Sequence, residues 1–264
     1  GLFALASQLY GVDLAPDDDV ATWHDDVRYY TVSQDGFALG GFYTDLFARN
    51  GKRTGAWIDE CVTRQDLNNH STLPVGYLVC NFPPPNDAGV SLLTHDDVVT
   101  LFHEFGHMLH HLLTRIDYPS IAGINGVPWD AVELPSQFME NFAWNLEVLQ
   151  SCSRHLDTGE PLPRELFERL DDSRHTGAAM AMMRQLEFAL FDFRLHAEYA
   201  PGEQGLAMKI LGEVRDEVAL IGSGDRIKER LAPWKEAGKR GEVGTMLLSV
   251  QDPVILELLA KELL

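Results

Sequence analysis

Along the first eighty-odd residues, apolar positions come in short runs bounded by turn formers; from Thr94 onward they recur with helical spacing. "VRYYTVS" (27–33) and "FALGGFYTDLF" (37–47) are β-branched or aromatic runs joined through "QDG", which predicts two strands and a hairpin-like turn. "VGYLVCNF" (75–82) predicts a further strand, stopped by "PPP". Residues 1–10 have the spacing of a helix. "THDDVVTLFHEFGHMLHHLLTR" predicts a longer one, with Thr94 as N-cap, Asp96 and Asp97 in the first turn where the helix dipole favours anions, and Arg115 near the end. Residues 117–131 form a loop rich in Gly and Pro. Helices are then expected over about 132–152, 163–171 and 174–200. After Pro201-Gly202 one more helix precedes a "GSG" linker at 222–224, and short helical pieces finish at Leu264. The expectation is an α+β fold, predominantly helical, with a small mixed sheet packed on a helical body. A core over residues 1–200 and a helical tail over 201–264 are expected.

The bulk numbers narrow the classes. A chain of 264 residues can build one large domain or two small ones, and 45% hydrophobic with 23% charged residues is ordinary for a soluble globular chain. No apolar run approaches a membrane span. The opening "GLFALASQLYGVDL" lacks a basic segment and a cleavage site, so it is not read as a signal peptide; its start in mid-helix on Gly1 reads as a fragment of something longer. Cys61, Cys80 and Cys152 are widely spaced, which suits thiols in a reducing compartment. A formal charge of -19 disfavours nucleic acid and anionic membrane as partners.

The chemistry concentrates in "LFHEFGHMLHH" (101–111), which holds four of the ten histidines. His103 and His107 are four apart, so a helix stacks both imidazoles on one face, as one zinc ion needs. Glu104 lies at the edge of that face, within reach of a water beside the metal but not a ligand itself. This is the zincin arrangement. The plain alternative is a helix whose histidines only satisfy hydrogen bonds, and it must place two histidines and a glutamate among Leu, Phe and Met without a partner.

A third protein ligand is required. His110 and Leu113 stand where the metzincin pattern needs Gly and His, so that subclass is excluded. "WDAVELPSQFMENF" offers Glu133 and Glu140, seven apart on one helical face. Glu133 opens its helix after a loop long enough for the chain to turn back, and is the expected ligand; Glu140, two turns deeper, is expected to support. Ser136 and Gln137 are candidates to hydrogen-bond the ligands, and His110 to orient a neighbour. His111 is expected to point away and His95 to be an exposed loop-end residue. His24, His70, His155, His175 and His196 have no partner at metal spacing and read as structural.

These residues carry a resemblance. "TLFHEFGHMLHHLLTR" followed by "GVPWDAVELPSQFMENF" resembles the zinc oligopeptidases of the thimet oligopeptidase and oligopeptidase A family, and "GFYTDLFARNGKRTGAWIDEC", "YLVCNF" and "RQLEFALFDFRLH" are similar to it as well. The resemblance covers roughly residues 1–220. It implies a zincin-like catalytic domain and a cytoplasmic peptidase of short unstructured peptides. It also implies one zinc held by His103, His107 and Glu133, with Glu104 as general base. Substrate peptides in such enzymes lie along a sheet edge, and the expected strand is 37–47 or 75–82.

The chain also departs from that family. The family's large N-terminal helical lobe is not in this sequence and is a candidate partner. The family's later segment of histidine and tyrosines, which grips the substrate, is not in this sequence either: there is no His after His196 and no Tyr after Tyr199. Two readings follow. One is a zinc-dependent oligopeptidase; the other is a zinc- and peptide-binding fragment with little or no catalysis.

Overall fold

The computed structural model describes residues 1–67, 70–86, 89–174, 178–200 and 205–218, together with 226, 229, 231–233, 236 and 239–240. The expected linker at 222–224, the end of the tail and His175 lie outside the described residues. The chain divides into two compact units, Gly1–Glu168 and Arg169–Leu264.

The first unit opens with α1 (Leu2–Tyr10), which stops where Gly11 turns left-handed. The strands β1 (Asp13–Pro16), β2 (Arg28–Gln34), β3 (Phe37–Phe47), β4 (Trp57–Val62), β5 (Gln65–Leu67), β6 (His70–Thr72) and β7 (Val75–Phe82) follow. Helices α2 (His95–Leu112), α3 (Leu134–Glu140) and α4 (Leu146–Cys152) complete it, with 3-10 turns at Pro119–Ile121 and Asn141–Trp144. The α+β expectation holds. Strands β3 and β7 have the bounds that the apolar runs predict, and Asp35 and Gly36 both take the positive φ that a two-residue hairpin loop demands.

The main sheet has the order β1-β2-β3-β7-β4, antiparallel except for the β3–β7 pair. One face packs on α2. Phe42, Leu78, Cys80 and Phe82 from the sheet meet Phe102, Phe105, Met108 and Leu112 from the helix in a single buried cluster. Placing that many large apolar side chains out of water fixes α2 against the sheet, each worth about 1.5–3 kcal/mol.

Two expectations need correction. The stretch 132–152 is not one helix: it breaks into α3, a 3-10 turn and α4, because Asn145 is extended and its side chain accepts a hydrogen bond from Val148 N to cap a new helix. Strands β3 and β7 are both interior, so neither can accept an added strand; the edges are β1 and β4. Strand β4 escaped the pattern because "WIDECV" mixes apolar and charged residues on each of its faces.

After α5 (Arg164–Ser173), which runs across the division, the second unit contains α6 (Ala178–Glu198) and α7 (Leu206–Val218). Leu190, Phe191 and Leu195 of α6 pack on Leu206, Ile210 and Val214 of α7, and Arg194 bridges Glu198 and Glu213 at 2.7 Å each.

Candidate metal centre

Helix α2 starts in a complete capping box: the Thr94 side chain accepts from Asp97 N, and the Asp97 carboxylate accepts from Thr94 N at 2.8 Å. Four-residue spacing then brings the His103 and His107 rings to 5.0 Å centroid to centroid. Both Nε2 atoms converge on one oxygen. Glu133 Oε2 lies 3.2 Å from His103 Nε2 and 3.0 Å from His107 Nε2.

Glu133 reaches this point because α3 approaches α2 without a side chain in between. A β-carbon on Gly106 would sit 2.5 Å from the Pro135 carbonyl oxygen and 2.7 Å from Ser136 Cα, both backbone atoms. Glu133 is the residue before the first turn of α3, so its side chain leaves the helix at the end facing α2. The fully buried Ser136 places its hydroxyl 2.8 Å from Glu133 Oε2 and fixes that carboxylate. Glu140, two turns on, accepts from His103 Nδ1 at 2.7 Å, which fixes the ring with Nε2 turned toward the cluster.

Burial and charge shape the rest. Glu104 and His107 are buried, His103 and Glu140 half-buried, and the Glu133 side chain is 50% exposed, so the site opens to solvent on the Glu133 side. Burial pushes Glu104 up to about 7; the Glu133 charge adds to this and His103 opposes it. Burial draws His107 down, against the pull of Glu133. For Glu133 burial works upward, but the Ser136 hydrogen bond and the two histidines prevail and hold it below the usual carboxylate range.

His103, His107 and Glu133 each offer one donor atom, all within 4.8 Å of one another. Two imidazole nitrogens and one carboxylate oxygen form a donor set suited to zinc. Among the described residues no Lys or Arg pairs with Glu133 or Glu104; the basic groups beside Glu133 are the two imidazoles.

The other candidates are placed as follows. Gln137 is exposed, and only its backbone N–H meets Glu133, donating to the carbonyl at 2.9 Å. His110 is half-buried and its Nδ1 makes no hydrogen bond. His111 is fully buried, with Nε2 3.2 Å from the carbonyls of both Val62 and Val75. His95 is not an exposed loop end: its Nε2 meets the Ala143 carbonyl at 2.8 Å and its ring stands edge-on to Trp144. His24, His155 and His196 serve local turns and helix backbone. Sequence reasoning missed the close approach at Gly106; a Gly inside a helix pattern that otherwise favours larger residues was the available signal.

Residues 1–231 match Peptidase family M3, slightly beyond the 1–220 over which the resemblance is expected. Oligopeptidase A of Escherichia coli strain K12 is 49% identical over 225 residues, covering 84% of this chain and 33% of that protein. The probable cytosolic oligopeptidase A of Arabidopsis thaliana is 44% identical over 208 residues, 76% of this chain and 30% of that protein. The dipeptidyl carboxypeptidase of Salmonella typhimurium is 40% identical over 209 residues, 78% of this chain and 30% of that protein. The chain spans about a third of the length of the curated relatives it matches. A family match over residues 1–231 and 49% identity over 225 residues leave one assignment: this chain belongs to peptidase family M3.

Proposed function

We propose that this chain is the zinc-binding catalytic region of an oligopeptidase that hydrolyses short, unstructured peptides. The observation that carries this reading is the convergence of two histidine Nε2 atoms on a single Glu133 oxygen, with the buried Glu104 beside them and, among the described residues, no Lys or Arg paired with either carboxylate. His103, His107 and Glu133 would hold one zinc per chain. When bound, zinc supplies Lewis acidity to a peptide carbonyl and to water. Glu104 accepts a proton from the attacking water on its carboxylate and delivers it to the leaving amine nitrogen. Glu140 and Ser136 hold His103 and Glu133 in place through the contacts described above. Strand β4, at the sheet edge, is the strand along which an extended peptide would lie.

A second reading is favoured by one specific feature. The residues after Tyr199 contain neither His nor Tyr, the groups expected to stabilise the oxyanion across the substrate. Loss of one such donor costs about 10²–10³ in rate. These 264 residues taken alone would then bind zinc and peptides with little turnover, and a helical lobe of the longer relatives is a candidate partner. A reducing, cytoplasmic setting is proposed with the free thiols of Cys61, Cys80 and Cys152 in support. Among the described residues no helix is long and apolar enough to cross a membrane.

Metal analysis after dialysis tests the common part: one zinc per chain is expected, and its absence would remove both readings. Cleavage of a quenched short peptide separates them, with Glu104→Gln as the control that abolishes only turnover. Unchanged zinc affinity in Glu133→Ala would remove that residue from the ligand set.

A further inference from the structure

Beyond the metal cluster, the helix that carries it holds a second buried imidazole with a different set of contacts. His111 lies one turn past His107 and is fully buried. Its Nε2 stands 3.2 Å from the Val62 carbonyl and 3.2 Å from the Val75 carbonyl. Carbonyl oxygens only accept, so the proton sits on Nε2 and is shared between them. Val62 and Val75 are paired residues at the end of the β4–β7 ladder, just past its irregularity at Glu60 and Val62. At that irregular end the imidazole adds one donor that reaches both carbonyls.

The other side of the ring meets the loop that delivers Glu133. His111 Nδ1 is buried without a partner. A β-carbon on Gly123 would lie 2.6 Å from it, and Gly123 is left-handed at φ +60. The same loop is tied to the β4 region by Asn125, whose amide donates to Glu60 Oε2 at 2.7 Å. Asp117 adds an ion pair with Arg64 at 2.8 Å. One side chain therefore touches the ligand helix, the edge strand and the loop leading to the third ligand. An apolar residue of similar volume would fill the space without orphaning a nitrogen, but it would leave two carbonyls without their donor.

We propose that His111 is a positioning residue that sets the edge strand β4 against the metal-bearing helix α2. It acts on how a peptide is presented, not on the reacting atoms. This rests on the oligopeptidase reading for its consequence, although the clamp itself does not depend on it.

The test uses the 264-residue chain with three readouts. Imidazole ¹⁵N NMR of the unaltered protein is expected to show His111 protonated on Nε2 and not on Nδ1. Amide exchange across 57–62 should speed by about tenfold in His111→Leu, the cost of about one hydrogen bond. On a quenched peptide, KM should rise by about tenfold with kcat held within about threefold. His111→Gln, whose amide nitrogen reaches the Nε2 position, should restore both. His111→Asn, which is too short, should behave as His111→Leu and replaces it if that variant does not fold. A proton on Nδ1, unchanged exchange in the donor-less variants, or equal damage in His111→Gln would each overturn the proposal. Absence of zinc binding or turnover would instead sink the oligopeptidase reading, while tautomer and exchange still judge His111.

Discussion

Two regions of the first unit bury carboxylates, and they treat the charge in opposite ways. Asp45, on β3, is closed in by protein cations. Arg49 donates to both of its oxygens at 2.5 and 2.7 Å, Lys52 to one at 2.8 Å and Trp23 Nε1 to the other at 3.1 Å. Burial opposes ionisation of Asp45, but these hydrogen bonds outweigh it and bring the pKa to about 2. Glu104 on α2 is also buried and has no such partners, and burial takes it to about 7. The first region is electrostatically complete and can only hold the fold together. The second has only imidazoles as basic groups beside its carboxylates among the described residues, the setting in which a metal ion is proposed. The difference, more than burial itself, marks the α2–α3 corner as the place for chemistry.

The largest expected effect breaks the closed region. Asp45→Ala strands Arg49 and Lys52 and should cost about 3–5 kcal/mol in unfolding free energy by urea titration. A loss below about 1 kcal/mol would show that the cluster is solvated and that the contrast with Glu104 is overstated.

The open region is next. Gly106→Ala must push Pro135 and Ser136 away from α2, at about 1–3 kcal/mol. Because Glu133 moves with them, zinc affinity should fall in the same variant, read by chelator competition; unchanged affinity would mean that the close approach does not set the ligand position.

Glu140→Gln keeps the shape but weakens the hold on His103, and about 10–100-fold in zinc affinity should be lost. Gln137→Ala, exposed and touching Glu133 only through its backbone, serves as the reference expected to change nothing.

The smallest effect concerns acid. The folded-state pKa of Asp45 is depressed, so its contribution is fully present above the unfolded value near 4 and disappears as pH falls through about 2. Unfolding free energy should therefore drop by about 2 kcal/mol between about pH 4 and pH 2, and Asp45→Asn should lack that part of the slope.

Much of this was legible in the residues. The i, i+4 histidines, the carboxylate between them and the "ELPSQ" turn are local features whose geometry a helix dictates, so His103, His107, Glu104 and Glu133 could be named without coordinates. The capping box at Thr94 and the bounds of β3 and β7 are local for the same reason. What was not legible depends on distant residues meeting. Strand β4 shows no alternation because both of its faces are mixed, and only pairing with β7 makes it a strand and an edge. His111 looks like surplus histidine until Val62, Val75 and Gly123 surround it. Asp45 and Arg49 have helix-like spacing but lie at the end of a strand, so the pair is invisible to a periodicity argument.

By itself, then, the sequence determined that His103, Glu104 and His107 share one capped helix and that Glu133 opens the next, since side-chain spacing on a regular backbone follows from covalent geometry. Only the tertiary structure decided how closely α2 and α3 approach, which strand lies at the edge, and which buried charges are already neutralised. Those are matters of separation between segments far apart in the chain, set by the packing of Gly106, Phe42, Phe105 and their neighbours rather than by any local rule.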